Sequence, residues 1–514
     1  MKRAESPTGA TRLSGQPACP DPSVGSENGS LLERYLRRKS VEAVARDAEE
    51  SNLERTLTAF DLVILGLGAM IGAGIFVAVD QGAILAGPAV AISYIVAATA
   101  CIFAALCYAE LSAAVPASGM AYSYAFVSLG QLAAWLIAWN LVAEYLVGNV
   151  AVAAAWSDNL ELALQTIGID IPQALTAAPG TSGLDFTPIF DLPAFLIVSA
   201  ITVLLAVGVR ESATTNLVLT VFKIGVLFAF IALGALKADA SLVTENFVPN
   251  GASGVMSAAA VVFFAFIGFD AVAAAAEETK NPQRNLPIGI IGSLVGAALI
   301  YVAVSLVFVA LVPPGTTPSG AALAEALRAV GYGDFVTILV AFGGVAATTT
   351  VLLVFQLGIP RILMALSRDN MMPGWLGKIH PRFATPARLT LLTGAVTAIG
   401  AGLIPIADAI TFTSLATLFV YLVISLAVLA LRNVRPDLDR PFEVPVAPLV
   451  VLGAVVGLGA LIVSLNVPTF LQWGAWMGVG LILYGLYGAR RGLAADDEAE
   501  TPPVDGAPPA PPQE

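Results

Sequence analysis

Charge and metal-ligating side chains are what this sequence has least of. Only 12% of its 514 residues are Asp, Glu, Lys or Arg, against 57% hydrophobic, with a mean hydropathy of +0.83. So few charges cannot cover a water-soluble domain of this size, which leaves lipid as the solvent for most of the surface. A single histidine cannot build a zinc or haem site, and Cys19, Cys101 and Cys107 show no metal or redox spacing. Metal and redox enzymology are therefore excluded, no enzyme activity and no cofactor are expected, and nucleic acid is not an expected partner.

What is present is a series of apolar stretches of about 20 residues, the length that crosses a hydrocarbon core of roughly 30 Å. Twelve are expected, at 60–80, 85–113, 130–157, 191–209, 212–236, 254–276, 287–312, 334–360, 388–405, 408–431, 446–466 and 469–488. The first 58 residues are polar and hold no cleavable signal sequence, so the N-terminus is expected in the cytosol. Basic residues test that orientation, because Lys and Arg of short loops stay on the cytoplasmic side. With the N-terminus inside, 22 of the 25 fall inside; only Lys237 and Arg328 lie outside, and Lys223 lies within a span. The expected location is the inner cell membrane, with both termini cytoplasmic. Residues 1–30 and 492–514 read as disordered tails, the latter acidic and Pro-rich. Residues 31–58 read as a helical segment with apolar and basic faces, suited to a lipid surface or to simple solvation.

Two spans break their own rules. Span 1 contains GLGAMIGAGIF, with Gly66, Gly68, Gly72 and Gly74 in close succession. Each interior glycine costs a helix about 1 kcal/mol against alanine, so a break is expected near Ile71 to Gly74. Span 6 contains VVFFAFIGFDAVAAAAEETKNPQRNLP, in which Gly268 interrupts an apolar run and Asp270 follows in the first turn of a new half-helix, where a carboxylate would cap it. Interrupted spans five apart and of opposite direction are the mark of an inverted five-plus-five repeat with two helices appended. On that reading, 59–236 form the first repeat, 254–432 the second, and 446–488 the appended pair. Sites in such folds lie at the breaks: amides at a half-helix N-terminus suit a carboxylate, and bare carbonyls suit an ammonium. An α-amino acid carries both. The plainer reading is that the glycines only let helices pack closely.

Lys223 in span 5 and Glu144 in span 3 each cost about 2.5–3.5 kcal/mol at the bilayer centre. The expectation is that Lys223 faces the broken backbone of span 1 with Glu144 near enough to tune its proton affinity, loading and releasing a proton as the surroundings change. A permanent buried ion pair that only fixes packing is the structural alternative. Sodium is the competing coupling ion, for which Thr348, Thr349 and Thr350 would offer hydroxyls; such threonines also commonly bond their own backbone. Glu110 reads as part of an inner gate or interfacial network, and His380 as an exposed loop histidine.

ERYLRRKSVEAVARDAEESNLERTLTAFDLVILGLGAMIGAGIF, FFAFIGFDAVAAAAEETKNPQRNLP and PRILMALSRDNMMP together resemble the cationic amino acid transporter branch of the amino acid, polyamine and organocation (APC) superfamily, from about Glu33 to Gly488. The resemblance implies an all-α membrane protein of twelve helices with a LeuT-like inverted repeat and discontinuous helices 1 and 6. It also implies a substrate carboxylate at Met70, Ile71, Gly72, Ala73 and Gly74, and an ammonium at the carbonyls of Phe264, Ala265 and Ile267. Phe266 takes the place of a gate, Thr349 that of a lining residue of the side-chain pocket, and Glu144 that of the family's helix 3 acid. Relatives with a lysine at the position of Lys223 are proton-coupled. Ala73 departs from the Thr or Ser often found there, which removes one hydroxyl contact. Secondary transport of a small neutral amino acid by proton symport is expected, with lipid as its surroundings. Exchange, carriage of basic amino acids or polyamines, a non-transporting sensor and a small accessory subunit are left open.

Overall fold

The structure, a computed structural model, describes residues 37–41, 55–115, 119–181, 184, 186–208, 213–244, 246–313, 320–380, 383 and 385–488. The tails expected over 1–30 and 492–514 lie outside these residues, as does the segment 31–58 except for 37–41 and 55–58. Among the described residues all regular structure is helical, apart from one parallel bridge between Leu57 and Thr279.

In chain order the helices are α1 (Ala59–Met70), α2 (Ala73–Phe76), α3 (Ala78–Ala86), α4 (Val90–Ala114), α5 (Met120–Ser128) and α6 (Gln131–Thr166). They continue with α7 (Leu192–Val207), α8 (Ala213–Ala235), α9 (Ala240–Thr244), α10 (Gly251–Val262), α11 (Ala271–Ala274) and α12 (Pro282–Val309). The last six are α13 (Ala322–Ala329), α14 (Asp334–Arg368), α15 (Ala387–Leu403), α16 (Ile406–Val434), α17 (Ala447–Val463) and α18 (Val467–Leu483).

Every apolar stretch read from the sequence falls on one or more of these helices, but length and apolarity together qualify seven as full crossings, or eight if α17 and α18, which meet at 110°, form one bent span. Helices α1, α7 and α15 are apolar but have 12, 16 and 17 residues. At 1.5 Å per residue they reach roughly 18–26 Å, short of a hydrocarbon core of about 30 Å. One of the seven runs from Gly74 to Ala114, yet Gly87, at φ 63°, turns the chain between α3 and α4.

The long helices α6 and α14 pack together at the centre, with α16 on α6, α12 on α4 and α1, and α15 on α7. Lipid gives apolar surfaces no reason to associate, so polar groups and close packing carry the helix contacts. Asn149 of α6 donates to Gln356 Oε1 of α14 at 2.5 Å, and Gln356 donates to Thr202 Oγ1 of α7 at 3.1 Å, joining three helices in the interior. Four indole N–H groups fasten α18 to α6. Trp135 donates to the Gly480 carbonyl at 2.9 Å, Trp139 to that of Trp476 at 2.8 Å, Trp476 to that of Trp139 at 3.1 Å and Trp473 to Asn140 Oδ1 at 2.8 Å. The outward faces of α17 and α18 are apolar, with Val463 and Leu471 exposed, as a lipid boundary requires.

At the opposite end of the chain, Thr58 and Asp61 form a reciprocal capping box that starts α1. The strand-like residue before it is bonded to the segment after α11: Thr56 and Leu57 amides donate to the Glu278 carbonyl at 2.9 and 3.0 Å, and Lys280 N–H to the Leu57 carbonyl at 2.8 Å. The two half-helices nearest this face are thus joined through main chain. Lys39 pairs with Asp369 at 3.1 Å, Tyr122 also donates to Asp369, and the Arg37 carbonyl accepts the first amide of α6 at 2.8 Å.

Glu110, buried near the end of α4, is held by Arg432 of α16 through two bonds of 2.8 and 2.6 Å and by the Val444 amide at 2.8 Å. Removing the carboxylate leaves a guanidinium and a buried N–H without it. Glu110→Ala is therefore expected to cost about 3 kcal/mol, and Asp437→Ala, which breaks the exposed Arg435 pair, less than about 1 kcal/mol. Thermal unfolding of the detergent-purified variants measures both.

Candidate functional site

Helix α1 stops where its glycines begin to crowd. Ile71 is extended (φ −74°, ψ 98°) while its amide still donates to the Leu67 carbonyl at 2.8 Å. Bonding resumes only when Ile75 and Phe76 donate to the Gly72 carbonyl at 3.3 and 3.4 Å. The first amides of α2 have no acceptor within their own helix, and the last carbonyls of α1 have no following turn to donate to them.

The second break has a different local cause. Helix α10 tightens into a 3-10 turn over Phe263–Phe266, Ile267 is extended (φ −63°, ψ 130°), and Gly268 takes φ 115° before α11 begins. Gly268 also lacks room for a side chain, since a Cβ there would lie 3.1 Å from the Ala69 backbone. A Cβ on Gly74 would lie 2.2 Å from Ala265 Cα. The two breaks are therefore in direct contact, and small residues are what let them meet.

Met70, Ile71, Gly72, Gly74, Phe264, Ala265 and Ile267 are all buried at this junction, with the Ala73 backbone between them. Phe266 is buried too, edge-on to Tyr94 of α4 at 6.3 Å and Tyr301 of α12 at 5.4 Å between ring centres. It sits within an aromatic group that bridges α10 to two neighbouring helices.

Lys223 of α8 is fully buried; its ammonium donates to the Gly68 carbonyl in the last turn of α1 and to Thr350 Oγ1 of α14 at 3.0 Å. A cation belongs there, because the C-terminal end of a helix carries partial negative charge and bare carbonyls. The lysine is thus the partner of a carbonyl that the break releases.

Two placements differ from the sequence reading. Glu144 of α6 is fully buried but its charged neighbour is Asp270, with Thr417 of α16 beside it; it is not set beside Lys223. The reason is the helix face: Glu144 lies toward Thr417 of α16, whereas the Lys223 ammonium lies toward α1 and α14. Neither Glu144 oxygen has a hydrogen-bond donor among the described residues, and the Thr417 hydroxyl is committed to the Thr413 carbonyl at 3.0 Å. Asp270 precedes α11 without capping it; Tyr421 of α16 instead donates to its Oδ1 at 3.1 Å.

Thr349 accepts the Trp156 indole N–H at 3.0 Å and donates to the Val345 carbonyl at 2.7 Å, so its hydroxyl is engaged toward α6. Thr350, about 100° further round the helix, is the one that meets Lys223. The hydroxyls of Thr348, Thr349 and Thr350 all donate to carbonyls of their own helix.

Tyr421 was not singled out from the sequence, and Thr350 was named only as one of three hydroxyls open to sodium. Thr350 stands in a run of three identical residues that only a known helix face can sort, and Tyr421 is one tyrosine in an apolar span. Among the described residues no three His, Cys, Asp or Glu side chains group as a metal site. His380 lies in a loop, its ring stacked on Phe383 at 4.8 Å. The arrangement offers no nucleophile beside a base, but it does offer main-chain donors and acceptors next to a buried cation.

Gly268→Ala is expected to cost about 1–2 kcal/mol through its backbone conformation alone, with more from the Ala69 contact, and Gly74→Ala to separate α2 from Ala265. Gly225→Ala in α8, where a Cβ meets nothing within 4 Å, is the control that leaves the melting temperature unchanged or raises it. Melting curves of the three purified variants test the close contact of the breaks.

A family profile described as amino acid permease matches residues 57–487. The chain is 42% identical over 457 residues to the branched-chain amino acid permease of Bacillus subtilis strain 168, covering 88% of this chain and 98% of that protein. It is 41% identical over 466 residues to the methylthioribose transporter of the same organism, covering 90% and 99%. With human cationic amino acid transporter 4 it shares 37% identity over 408 residues, covering 78% of this chain and 63% of that one.

Proposed function

Since the chain belongs to the amino acid permease family of the APC superfamily, and is a multi-pass membrane transporter and not an enzyme, we propose that it carries small neutral amino acids by proton symport through alternating access. The observation that supports this most is the Lys223 ammonium on the Gly68 carbonyl beside two helix breaks in contact. Amides of Gly72 to Gly74 suit the substrate carboxylate, and carbonyls of Phe264 to Ile267 its ammonium. No side chain is needed for either, which suits a zwitterion of any side chain that fits.

In the proposed cycle a protonated Lys223 holds the end of α1. Movement of α1 removes the carbonyl from Nζ, and an ammonium left without that partner in a dry interior gives up its proton. A lysine there also fills the place that sodium would need, its ammonium already taking the Thr350 hydroxyl oxygen at 3.0 Å. The twelve-crossing inverted repeat, with halves 59–236 and 254–432, belongs to this proposal, supported by the matched breaks. So does the cell membrane location with cytoplasmic termini, supported by the basic loops.

One observation favours a second reading. Glu144 and Asp270 are buried together, and two carboxyl groups would compensate a basic side chain. The named substrates of relatives at 42% and 41% identity differ, so identity at this level does not choose.

Purified protein in sealed vesicles, given a panel of labelled amino acids with imposed pH or sodium gradients, tests the proposal. Accumulation of a small neutral amino acid is expected when the outside is acid, and none from sodium alone. Lys223→Ala should lose gradient-driven accumulation while keeping exchange. Accumulation driven by sodium, or unchanged accumulation in Lys223→Ala, would overturn the coupling; preference for arginine or lysine would select the second reading.

A further inference from the structure

We propose that the first turns of α12 and the segment after α16 form a binding site for one anionic phospholipid. A cavity of about 600 Å³ opens there, lined by Asn281, Gln283 and Arg284 from the start of α12, by Ile288 and Ile291 further along it, and by Phe442 of the segment after α16. Its two ends differ in chemistry along a single helix face. Arg284, Ile288 and Ile291 are spaced at i, i+4 and i+7, so they line one side of α12, charge first and then apolar surface. Seven residues of helix separate the two ends by about 10 Å, which places a headgroup at the polar end and an acyl chain beside the isoleucines.

The polar end is built for an anion. Asn281 takes a left-handed conformation (φ 45°, ψ 61°) and its carbonyl accepts the amides of Arg284 and Asn285, each at 3.0 Å. This fixes the start of a 28-residue helix, whose positive dipole end faces the opening. Arg284 is exposed and has no ion pair among the described residues. A guanidinium in that condition takes a phosphate in bidentate fashion. Lys280, also exposed, lies within reach of the Asp61 carboxylate of α1, which leaves Arg284 as the cation of the site. Glu443, next to Phe442 in the chain, lies within the field of Arg432.

The apolar end is built for hydrocarbon. Ile288 is 44% exposed and Phe442 half-buried, in a protein whose surroundings are lipid. The wall carrying Phe442 is rigid, because Arg440 spans the preceding loop by donating to the carbonyls of Leu438 at 2.8 Å and Arg435 at 2.5 Å. A site with an exposed guanidinium at one end and an apolar wall at the other selects a lipid of matching charge and does not merely border the bilayer.

The test is native mass spectrometry of the full-length protein, purified in detergent and incubated with phosphatidylglycerol or phosphatidylcholine. The wild type is expected to retain phosphatidylglycerol over phosphatidylcholine by about fivefold, the factor that one basic residue at an anionic surface contributes. Arg284→Gln should remove that preference, Ile291→Trp should reduce retention of both lipids by filling the apolar end, and Arg328→Gln, an exposed charge at the end of α13, should change neither. Equal retention of the two lipids by the wild type, or an undiminished preference in Arg284→Gln, overturns the proposal. Displacement of phosphatidylglycerol by inorganic phosphate alone also overturns it, since the site would then be one for free phosphate. The readout does not involve transport, so either result leaves the proposed function standing or falling on its own test.

Discussion

A peptide group inside a membrane has no water to bond, and leaving it unpaired costs several kcal/mol. That constraint governs this molecule at Ile71–Gly74 and again at Ile267–Asp270, where two helices stop and start within the protein interior. The freed groups have to be met by something. At Gly68 the partner is the Lys223 ammonium; for the remaining groups around the junction, a small molecule with a positive and a negative end is a natural one. The buried lysine and the broken helix thus solve each other's problem, since neither a lone ammonium nor a lone carbonyl is stable at that depth.

The rest of the fold holds those breaks in place. The long helices α6 and α14 and the polar chain through Asn149, Gln356 and Thr202 make an interior frame. The bridge at Leu57 and Thr279 ties the start of α1 to the segment after α11 through main chain. Glu110 and Arg432 join α4 to α16 on a different side.

Much of this was legible in the sequence because glycine and charge are rare enough in membrane spans to be informative. Gly72 and Gly268 marked both breaks to within a residue or two, and the partner expected for Lys223 follows from helix electrostatics. Helix neighbours were not legible. Glu144 meets Asp270 because of how α6 packs on α16, and nothing local in EYLVGNV reveals that. Which of Thr348, Thr349 and Thr350 meets Lys223 turns on steps of 100° of helix rotation, which a run of identical residues conceals. Counting crossings was also limited by physics: α1, α7 and α15 are apolar along their length but too short to satisfy a length criterion alone, because breaks and turns consume residues that hydropathy counts as span.

The account rests on main-chain groups at the two breaks receiving a zwitterion. A cryo-EM structure of the protein in lipid nanodiscs with a bound neutral amino acid tests that directly. The account predicts the α-carboxylate within hydrogen-bonding distance of the Gly72 to Gly74 amides and the ammonium at the carbonyls of Phe264 to Ile267. Ligand density away from both breaks, or regular helical bonding continuing through Gly72 and Gly268, would contradict it.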